Sequence, residues 1–218
     1  MVMKCKGAIF DMDGVLFDTE RIYQDTWQEI AAERRIKLDS GFVKTISGTN
    51  GKKMLQVVEK YYRVPDGTVI ADVCMSRVRE KLSVHVPVKK GVYEILRFLK
   101  EKDIRTAVAS STSRQQIEKN LQMTGIRGYF DEIVSGSEVK HGKPEPDIFL
   151  CAAGRIGCRP EECFVFEDSE NGVRSGHAAG CVTIMIPDLV EPEAGICSYC
   201  FKICRDFQEV QKEIKDMI

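Results

Sequence analysis

Two aspartates near the start of the chain, Asp11 and Asp13, follow a short apolar run in the sequence AIFDMDGVLFDTE. The run at residues 6–10 has the pattern of a buried strand, and a carboxylate beside it needs a cation or hydrogen bonds to offset the loss of water. Aspartate has an ordinary pKa of about 3.9, so Asp11 is ionised at neutral pH and can attack the phosphorus of a phosphate monoester. Asp13 lies two residues further, on the same side of an extended segment, where it can act as a general acid and base.

Two later parts of the chain contain side chains that could bind a phosphoryl group. Ser110 ends the apolar run IRTAVAS and precedes Ser111. A helix is predicted to begin near Ser113, and its free backbone amides and a serine hydroxyl can donate to phosphoryl oxygens. Lys143, in the sequence HGKPEP, supplies a positive charge for the same group.

Two further carboxylates, Glu167 and Asp168, end the apolar run CFVFED. Carboxylate oxygens and substrate phosphate are the ligands that Mg²⁺ prefers. A Mg²⁺ ion held by Asp11 and Asp168 would compensate their charge and neutralise that of a phosphate. The sequence therefore predicts a magnesium-assisted phosphoryl-transfer site.

These residues come together if the chain forms an α/β fold with a Rossmann-like parallel sheet. Apolar runs typical of buried strands alternate with helical patterns, which predicts a parallel sheet covered by helices. In such sheets ligands bind beyond the carboxyl ends of the strands, which is where each polar cluster falls. The predicted strands are residues 6–10, 104–110, 132–136, 163–168 and 181–186, and the helices between them are 92–102, 114–125 and 146–157.

The stretch from residue 17 to residue 85 has no convincing strand and contains several helical patterns. It is too long for an ordinary crossover between strands. We expect residues 17–85 to form a small all-helical cap domain inserted after the first strand, and residues 1–16 plus 86–218 to form the α/β core. Because both linkers would lie beside Asp11 and Asp13, the cap is expected to act as a lid.

The composition is that of a globular protein without a polyanionic partner. The 218 residues include 43% hydrophobic and 30% charged residues, and 32 Lys and Arg stand against 33 Asp and Glu. Such a balance gives no net field to attract nucleic acid or an anionic membrane. No apolar stretch near the N-terminus is long enough for a signal peptide or a membrane span, so we expect a cytoplasmic protein. Nothing in the sequence demands more than a monomer, and the expected partner is a small phosphorylated metabolite.

The nine cysteines are interpreted as reduced thiols, because their number is odd and most of them stand singly in apolar segments. Cys197, Cys200 and Cys204, in CSYCFKIC, could bind a metal ion. A closed zinc site needs four ligands, however, and no histidine is near. The favoured interpretation is that they pack as apolar residues of a late strand.

DMDGVLFDT, Ser110 in VASST, Lys143 in GKPEPDIF, and FEDSENGVRSGHAAG together resemble the four ordered motifs of the haloacid dehalogenase superfamily, in its phosphatase and phosphoglucomutase branch. The resemblance covers residues 6–190. It implies that Asp11 is the nucleophile that forms an aspartyl-phosphate. It also implies that Asp13 is the general acid and base, and gives Mg²⁺ its backbone carbonyl.

The resemblance implies roles for the other motif residues as well. Ser110 and Lys143, with Ser111, would bind the phosphoryl group. Asp168, with Glu167, would complete the metal shell. The helical insert resembles the family's cap, which closes over the site and selects the substrate.

Two branches of the superfamily remain open, phosphatase and beta-phosphoglucomutase. Similar mutases carry a histidine four residues after the motif threonine and a cap sequence of lysine, glycine, any residue, serine and arginine. Here Tyr23 stands four residues after Thr19, and ISGTNGKK has Ser47 for the lysine and Gly51 for the arginine. We therefore expect a Mg²⁺-dependent phosphatase of small phosphate monoesters such as sugar phosphates, with the mutase as the alternative.

A signalling receiver domain, which also accepts phosphate on an aspartate, is less favoured because such domains are shorter and lack a helical insert. A catalytically inactive binding module is not favoured, because no motif residue is missing. Within the cap, Tyr23, Asn50 and Lys52 are candidates for the substrate lining. Tyr23 and Trp27, one helical turn apart, equally fit the core of the cap.

Overall fold

A computed structural model describes residues 4–47, 49, 51–189 and 191–218. It separates into two compact units, one formed by the chain up to Phe17 together with Val88–Ile218, the other by Asp18–Pro87. We call them the sheet unit and the helical unit. Their limits differ by one or two residues from those expected for core and cap.

The sheet unit is built on six parallel strands in the order β3-β2-β1-β4-β5-β6. This confirms the predicted Rossmann-like α/β class. The apolar runs form strands because both faces of the sheet are covered, and every residue of β1 and β4 is buried. The strands are β1 (Gly7–Phe10), β2 (Arg105–Ser110), β3 (Glu132–Ser135), β4 (Cys163–Glu167), β5 (Val182–Met185) and β6 (Lys202–Ile203).

The helical unit contains α1 (Thr19–Glu33), α2 (Ser40–Ile46), α3 (Gly51–Tyr62) and α4 (Thr68–Val84). Its own apolar core includes Trp27, Phe42 and Tyr62, whose rings meet edge to face. The hydroxyl of Tyr62 donates to the carbonyl of Trp27 at 2.6 Å, so the buried ring has its polar group satisfied.

Five helices of the sheet unit follow: α5 (Val92–Glu101), α6 (Arg114–Met123), α7 (Asp147–Arg155), α8 (Glu170–Ala178) and α9 (Phe207–Ile214). On one face of the sheet, Ile9 and Val165 share a buried core with Phe149 of α7. On the other face, Phe10 and Phe166 pack against Phe207 of α9. Neighbouring residues of β1 thus face opposite layers, as the two-residue period of a strand requires.

Some elements were not predicted. Helix α2 has only seven residues and begins at Asp39, whose side chain accepts from the amide of Phe42. Helix α9 begins in the same way at Asp206. The late strand expected around the cysteine cluster is reduced to β6, which has two residues, pairs with β5 and contains none of the three cysteines.

Among the described residues, no helix is long and apolar enough to cross a membrane. The cytoplasmic location and the monomeric state stay predictions.

Candidate active site

The register of the sheet sets the position of Asp11. Phe10 of β1 lies opposite Val108 of β2 and Phe166 of β4, and the amide of Asp11 donates to the carbonyl of Phe166 at 3.0 Å. Asp11 therefore leaves the sheet beside Glu167, at the carboxyl ends of adjacent parallel strands. This is the edge at which ligands bind in such folds.

Lys143 is the charged centre of the site. Its ammonium lies 2.5 Å from Oδ1 of Asp11, 2.6 Å from Oε1 of Glu167 and 3.2 Å from the carbonyl oxygen of Ala109. The side chain is only 8% exposed, and its ammonium stands 4.9 Å from the centre of the Phe149 ring. Three acceptors match the three hydrogens of an ammonium, so Lys143 ties together the carboxyl ends of β1, β2 and β4.

The buried charges shift one another's pKa values. Burial raises the pKa of Asp11 to about 7, and Glu167 and Asp13 add to that rise while Lys143 opposes it. Burial disfavours the ammonium of Lys143, but the attraction of Asp11 and Glu167 outweighs it and raises the pKa of Lys143. Lys143 is therefore a fixed cation, whereas burial, more than the neighbouring carboxylates, makes Asp11 harder to ionise than the sequence predicts.

Glu167 has both carboxylate oxygens engaged. Oε1 accepts from Lys143, and Oε2 accepts from the amides of Asp168 and Ser169 and from the Ser169 hydroxyl, each at 3.0 Å. The start of α8 leaves room for this carboxylate because residue 172 is glycine. A Cβ there would lie 1.8 Å from Oε1. This geometry favours Glu167 as a support for Lys143 and for the loop after β4, rather than as the metal ligand that the sequence predicts.

Asp168 packs against the turn that carries Asp13. Gly14 has φ +81°, and a Cβ on it would stand 2.2 Å from Oδ2 of Asp168. Only glycine allows both this backbone conformation and this approach. The Asp168 carboxylate therefore lies on the backbone of the first motif, close to where Asp13 would offer its carbonyl oxygen.

These donors fit a magnesium ion. Across the described parts of the chain, no three His, Cys, Asp or Glu side chains are grouped so as to ligate a metal. Mg²⁺, however, is usually held by one or two carboxylates together with water and substrate phosphate, rather than by a cage of side chains. Asp11 and Asp168 supply two such carboxylates, and Asp11 shares its one ammonium partner, Lys143, with Glu167, which leaves charge for a cation to compensate.

Asp13 and the loop after β2 also meet. The hydroxyl of Thr112 donates to Oδ2 of Asp13 at 3.0 Å. The amide of Thr112 donates to Oγ of buried Ser110 at 3.1 Å, which uses Ser110 as an acceptor and leaves its hydroxyl hydrogen for a phosphoryl oxygen. Ser111 is exposed next to it. Sequence reasoning missed Thr112, because nothing in the pattern SSTS shows which hydroxyl meets Asp13.

The candidates for substrate lining lie in the helical unit. Tyr23 is half-buried and packs against the core of that unit, to which Trp27 belongs with 2% exposure. Lys52 is exposed at the start of α3. Asn50 lies outside the described residues.

The cysteines are all free thiols. Cys204 is buried after β6, Cys200 is half-buried and Cys197 is exposed. Cys197 lies in the 3₁₀ turn Ala194–Tyr199, and Cys200 directly follows it. Neither is in the late strand that the sequence predicted.

Comparison with known proteins decides the family. The family model of haloacid dehalogenase-like hydrolases matches residues 8–186, which contain all the motif residues of the site. The chain belongs to the haloacid dehalogenase-like hydrolases.

Two named phosphatases match most of the chain. A phosphorylated carbohydrates phosphatase of Thermotoga maritima is 33% identical over 80% of this chain and 82% of its own. A fructose-1-phosphate phosphatase of Escherichia coli is 31% identical over 83% of this chain and 95% of its own. The prediction of a phosphatase of this superfamily is confirmed.

The fold matches as well. A crystal structure from Thermotoga maritima, provisionally assigned as a beta-phosphoglucomutase, superimposes with a TM-score of 0.81 at 27% identity and covers 98% of this chain and all of its own. The comparisons thus confirm the predicted family and, within it, the branch of phosphatases and beta-phosphoglucomutase-like proteins.

Proposed function

We propose that this protein is a Mg²⁺-dependent phosphatase that hydrolyses small phosphate monoesters, phosphorylated sugars in particular, through an aspartyl-phosphate on Asp11. The observation that carries the proposal is the buried contact of Lys143 with Asp11 and Glu167 at the carboxyl edge of the sheet. It places a fixed cation beside the carboxylate that would attack phosphorus. The sugar-phosphate class is supported by the two phosphatase relatives.

In the first step, a carboxylate oxygen of Asp11 forms a bond to phosphorus while the bond from phosphorus to the leaving oxygen breaks. Asp13 gives its proton to that oxygen, so the product leaves as an alcohol. Ser110 and Ser111 donate to the phosphoryl oxygens, and Lys143, whose three hydrogens already have protein acceptors, attracts them through its charge. In the second step Asp13 takes a proton from water as the water oxygen attacks phosphorus, and Asp11 is released.

Mg²⁺ would be held by the carboxylates of Asp11 and Asp168 and by the backbone carbonyl of Asp13. Glu167 would keep these groups in position through its hydrogen bonds with Lys143 and with the loop after β4. When bound, the ion neutralises phosphate charge and favours the ionised form of Asp11. The residues argued for the chemistry belong to one sheet unit of one chain, so the site needs no second subunit.

The proposal is tested by phosphate release from a panel of sugar and nucleotide monophosphates with Mg²⁺. We expect turnover by the wild type, none above background by Asp11→Asn, and normal turnover by Asp216→Asn, which changes an exposed aspartate. Wild-type rates in Asp11→Asn would overturn the mechanism.

The beta-phosphoglucomutase alternative is supported by the Thermotoga maritima structure and opposed by Tyr23 and by the sequence ISGTNGKK. It is tested in the same panel by following the conversion of beta-glucose 1-phosphate to glucose 6-phosphate. Release of phosphate without isomerisation supports the phosphatase. Isomerisation without release of phosphate would establish the mutase.

A further inference from the structure

Thr112 joins the loop after β2 to the turn after β1. Its hydroxyl lies 3.0 Å from Oδ2 of Asp13, across 99 positions of the sequence. Thr112 is half-buried, so solvent competes only partly for this hydrogen bond. The contact reaches the carboxylate proposed to move protons, not the one proposed to attack phosphorus.

The backbone of Thr112 is held on both sides. Its amide donates to Oγ of Ser110 at 3.1 Å, and its carbonyl accepts from Oγ of Ser135 at 2.7 Å. Ser110 and Ser135 are fully or nearly fully buried, at the ends of adjacent parallel strands. A hydroxyl on a backbone fixed in this way can orient the group that it contacts.

We propose that Thr112 is a positioning residue for proton transfer by Asp13, an inference that rests on the proposed function. A hydroxyl that donates to Oδ2 fixes the rotation of the Asp13 carboxyl group, and in this role Oδ1 carries the mobile proton. In the first step this proton moves from Oδ1 to the leaving oxygen as the bond from phosphorus to that oxygen breaks. In the second step Oδ1 takes a proton from water as the water oxygen bonds to phosphorus, and the bond from phosphorus to the Asp11 carboxylate oxygen breaks, which frees inorganic phosphate.

Substrates with different leaving groups distinguish a role of Thr112 in proton transfer from a merely structural role. An alkoxide leaves poorly unless it is protonated, whereas p-nitrophenolate leaves as an anion and needs no proton. The ratio kcat/KM covers the steps from free enzyme and substrate to the transition state that limits phosphoenzyme formation. Loss of a group that orients Asp13 should therefore lower kcat/KM for a sugar phosphate much more than for p-nitrophenyl phosphate.

The experiment compares wild type, Thr112→Val, Thr112→Ser and Thr124→Val with both substrates and Mg²⁺. General acid catalysis contributes roughly 10²–10⁴-fold, so we expect Thr112→Val to lose about tenfold or more with the sugar phosphate and less than about threefold with p-nitrophenyl phosphate. Thr112→Ser keeps the hydroxyl and should restore most of the loss. Thr124→Val removes a hydroxyl that donates to the carbonyls of Asn120 and Leu121 within α6, and it should behave as wild type.

Equal losses with both substrates, or no rescue by Thr112→Ser, would overturn the assignment of Thr112 while wild-type turnover leaves the proposed function standing. If the wild type releases no phosphate from any substrate, the proposed function fails and the role of Thr112 fails with it. Thermal unfolding of Thr112→Val, compared with that of Thr112→Ser, shows whether a loss of folded protein accounts for the result.

Discussion

The ammonium of Lys143 lies 2.5 Å from Oδ1 of Asp11, and both side chains are nearly inaccessible to solvent. The same ammonium contacts Oε1 of Glu167, which is 1% exposed. A buried carboxylate is stable only when its charge is compensated, so Lys143 both keeps Asp11 and Glu167 in the core and presents positive charge to an incoming phosphate.

Replacing Lys143 with methionine should therefore affect stability as well as activity. Removal of one partner from a buried ion pair leaves an uncompensated charge, which costs about 3–5 kcal/mol. We expect Lys143→Met to lose about this much free energy of unfolding in urea at pH 7 and to release phosphate only at background rates. Lys140→Met, at an exposed lysine of the same segment, should change neither quantity. An unchanged free energy of unfolding in Lys143→Met would contradict the conclusion that Lys143 compensates the buried charges of Asp11 and Glu167.

Gly14 gives a second test, because its lack of a side chain leaves room for Asp168. A non-glycine residue at positive φ costs roughly 1–2 kcal/mol, and at Gly14 the new Cβ would also meet Oδ2 of Asp168 at 2.2 Å. We expect Gly14→Ala to raise the Mg²⁺ concentration for half-maximal activity by about tenfold or more, as for other disturbed metal sites. The measurement is a Mg²⁺ titration of phosphate release.

Gly180→Ala is the matched control for this change. Gly180 has φ +79°, and in the described parts of the chain nothing beyond its own neighbourhood in sequence lies within 4 Å of the added Cβ, so the variant carries the backbone strain alone. It should lose a similar backbone contribution to stability but keep the wild-type Mg²⁺ dependence. If both variants shift the Mg²⁺ titration equally, the packing of Asp168 on Gly14 does not determine metal binding.

Glu162 links stability to pH on the side of the sheet away from the candidate site. Hydrogen bonds from Arg159 and Lys6 hold the pKa of this carboxyl well below its ordinary 4.5, at about 2. A lowered pKa in the folded state means that the ionised group stabilises the fold above pH 4.5 and that this contribution is lost as the pH falls towards 2. The stability difference between wild type and Glu162→Gln should therefore shrink between pH 6 and pH 3.

The measurement is urea unfolding of both proteins at several pH values over that range, with Glu161→Gln as the neighbouring control. Glu161 contacts Arg159 at 3.3 Å and is largely exposed, so its replacement should matter less. A difference for Glu162→Gln that stays constant with pH would contradict the proposed ion pair.

Much of the fold could be predicted from the sequence because its signals are local. The apolar runs of β1 and β4 are continuous, as in strands that are buried on both faces, and several helices end on glycine. By contrast, α2 and α9 begin at aspartate caps rather than at strong apolar patterns, and β6 is defined only by its pairing with β5.

The sequence predicts which residues form the site better than it predicts how their side chains contact one another. Asp11 and Lys143 are recognisable because each follows an apolar run or a distinctive motif. Glu167 accepts from Lys143 with one oxygen and from backbone amides with the other, an arrangement set by the rotation of its side chain. The hydrogen bond from Thr112 to Asp13 joins loops that are far apart in the sequence. Neither leaves a periodic signal in one sequence.

In the proposed mechanism, Asp11 carries the phosphoryl group between the two steps. The most direct measurement is acid quench of the enzyme during turnover with Mg²⁺ and a sugar phosphate, followed by borohydride reduction and peptide mass spectrometry to locate the acyl phosphate. We expect the modified residue to be Asp11 and Asp11→Asn to show no modification. A phosphoryl group on another residue, or steady turnover by Asp11→Asn, would contradict it.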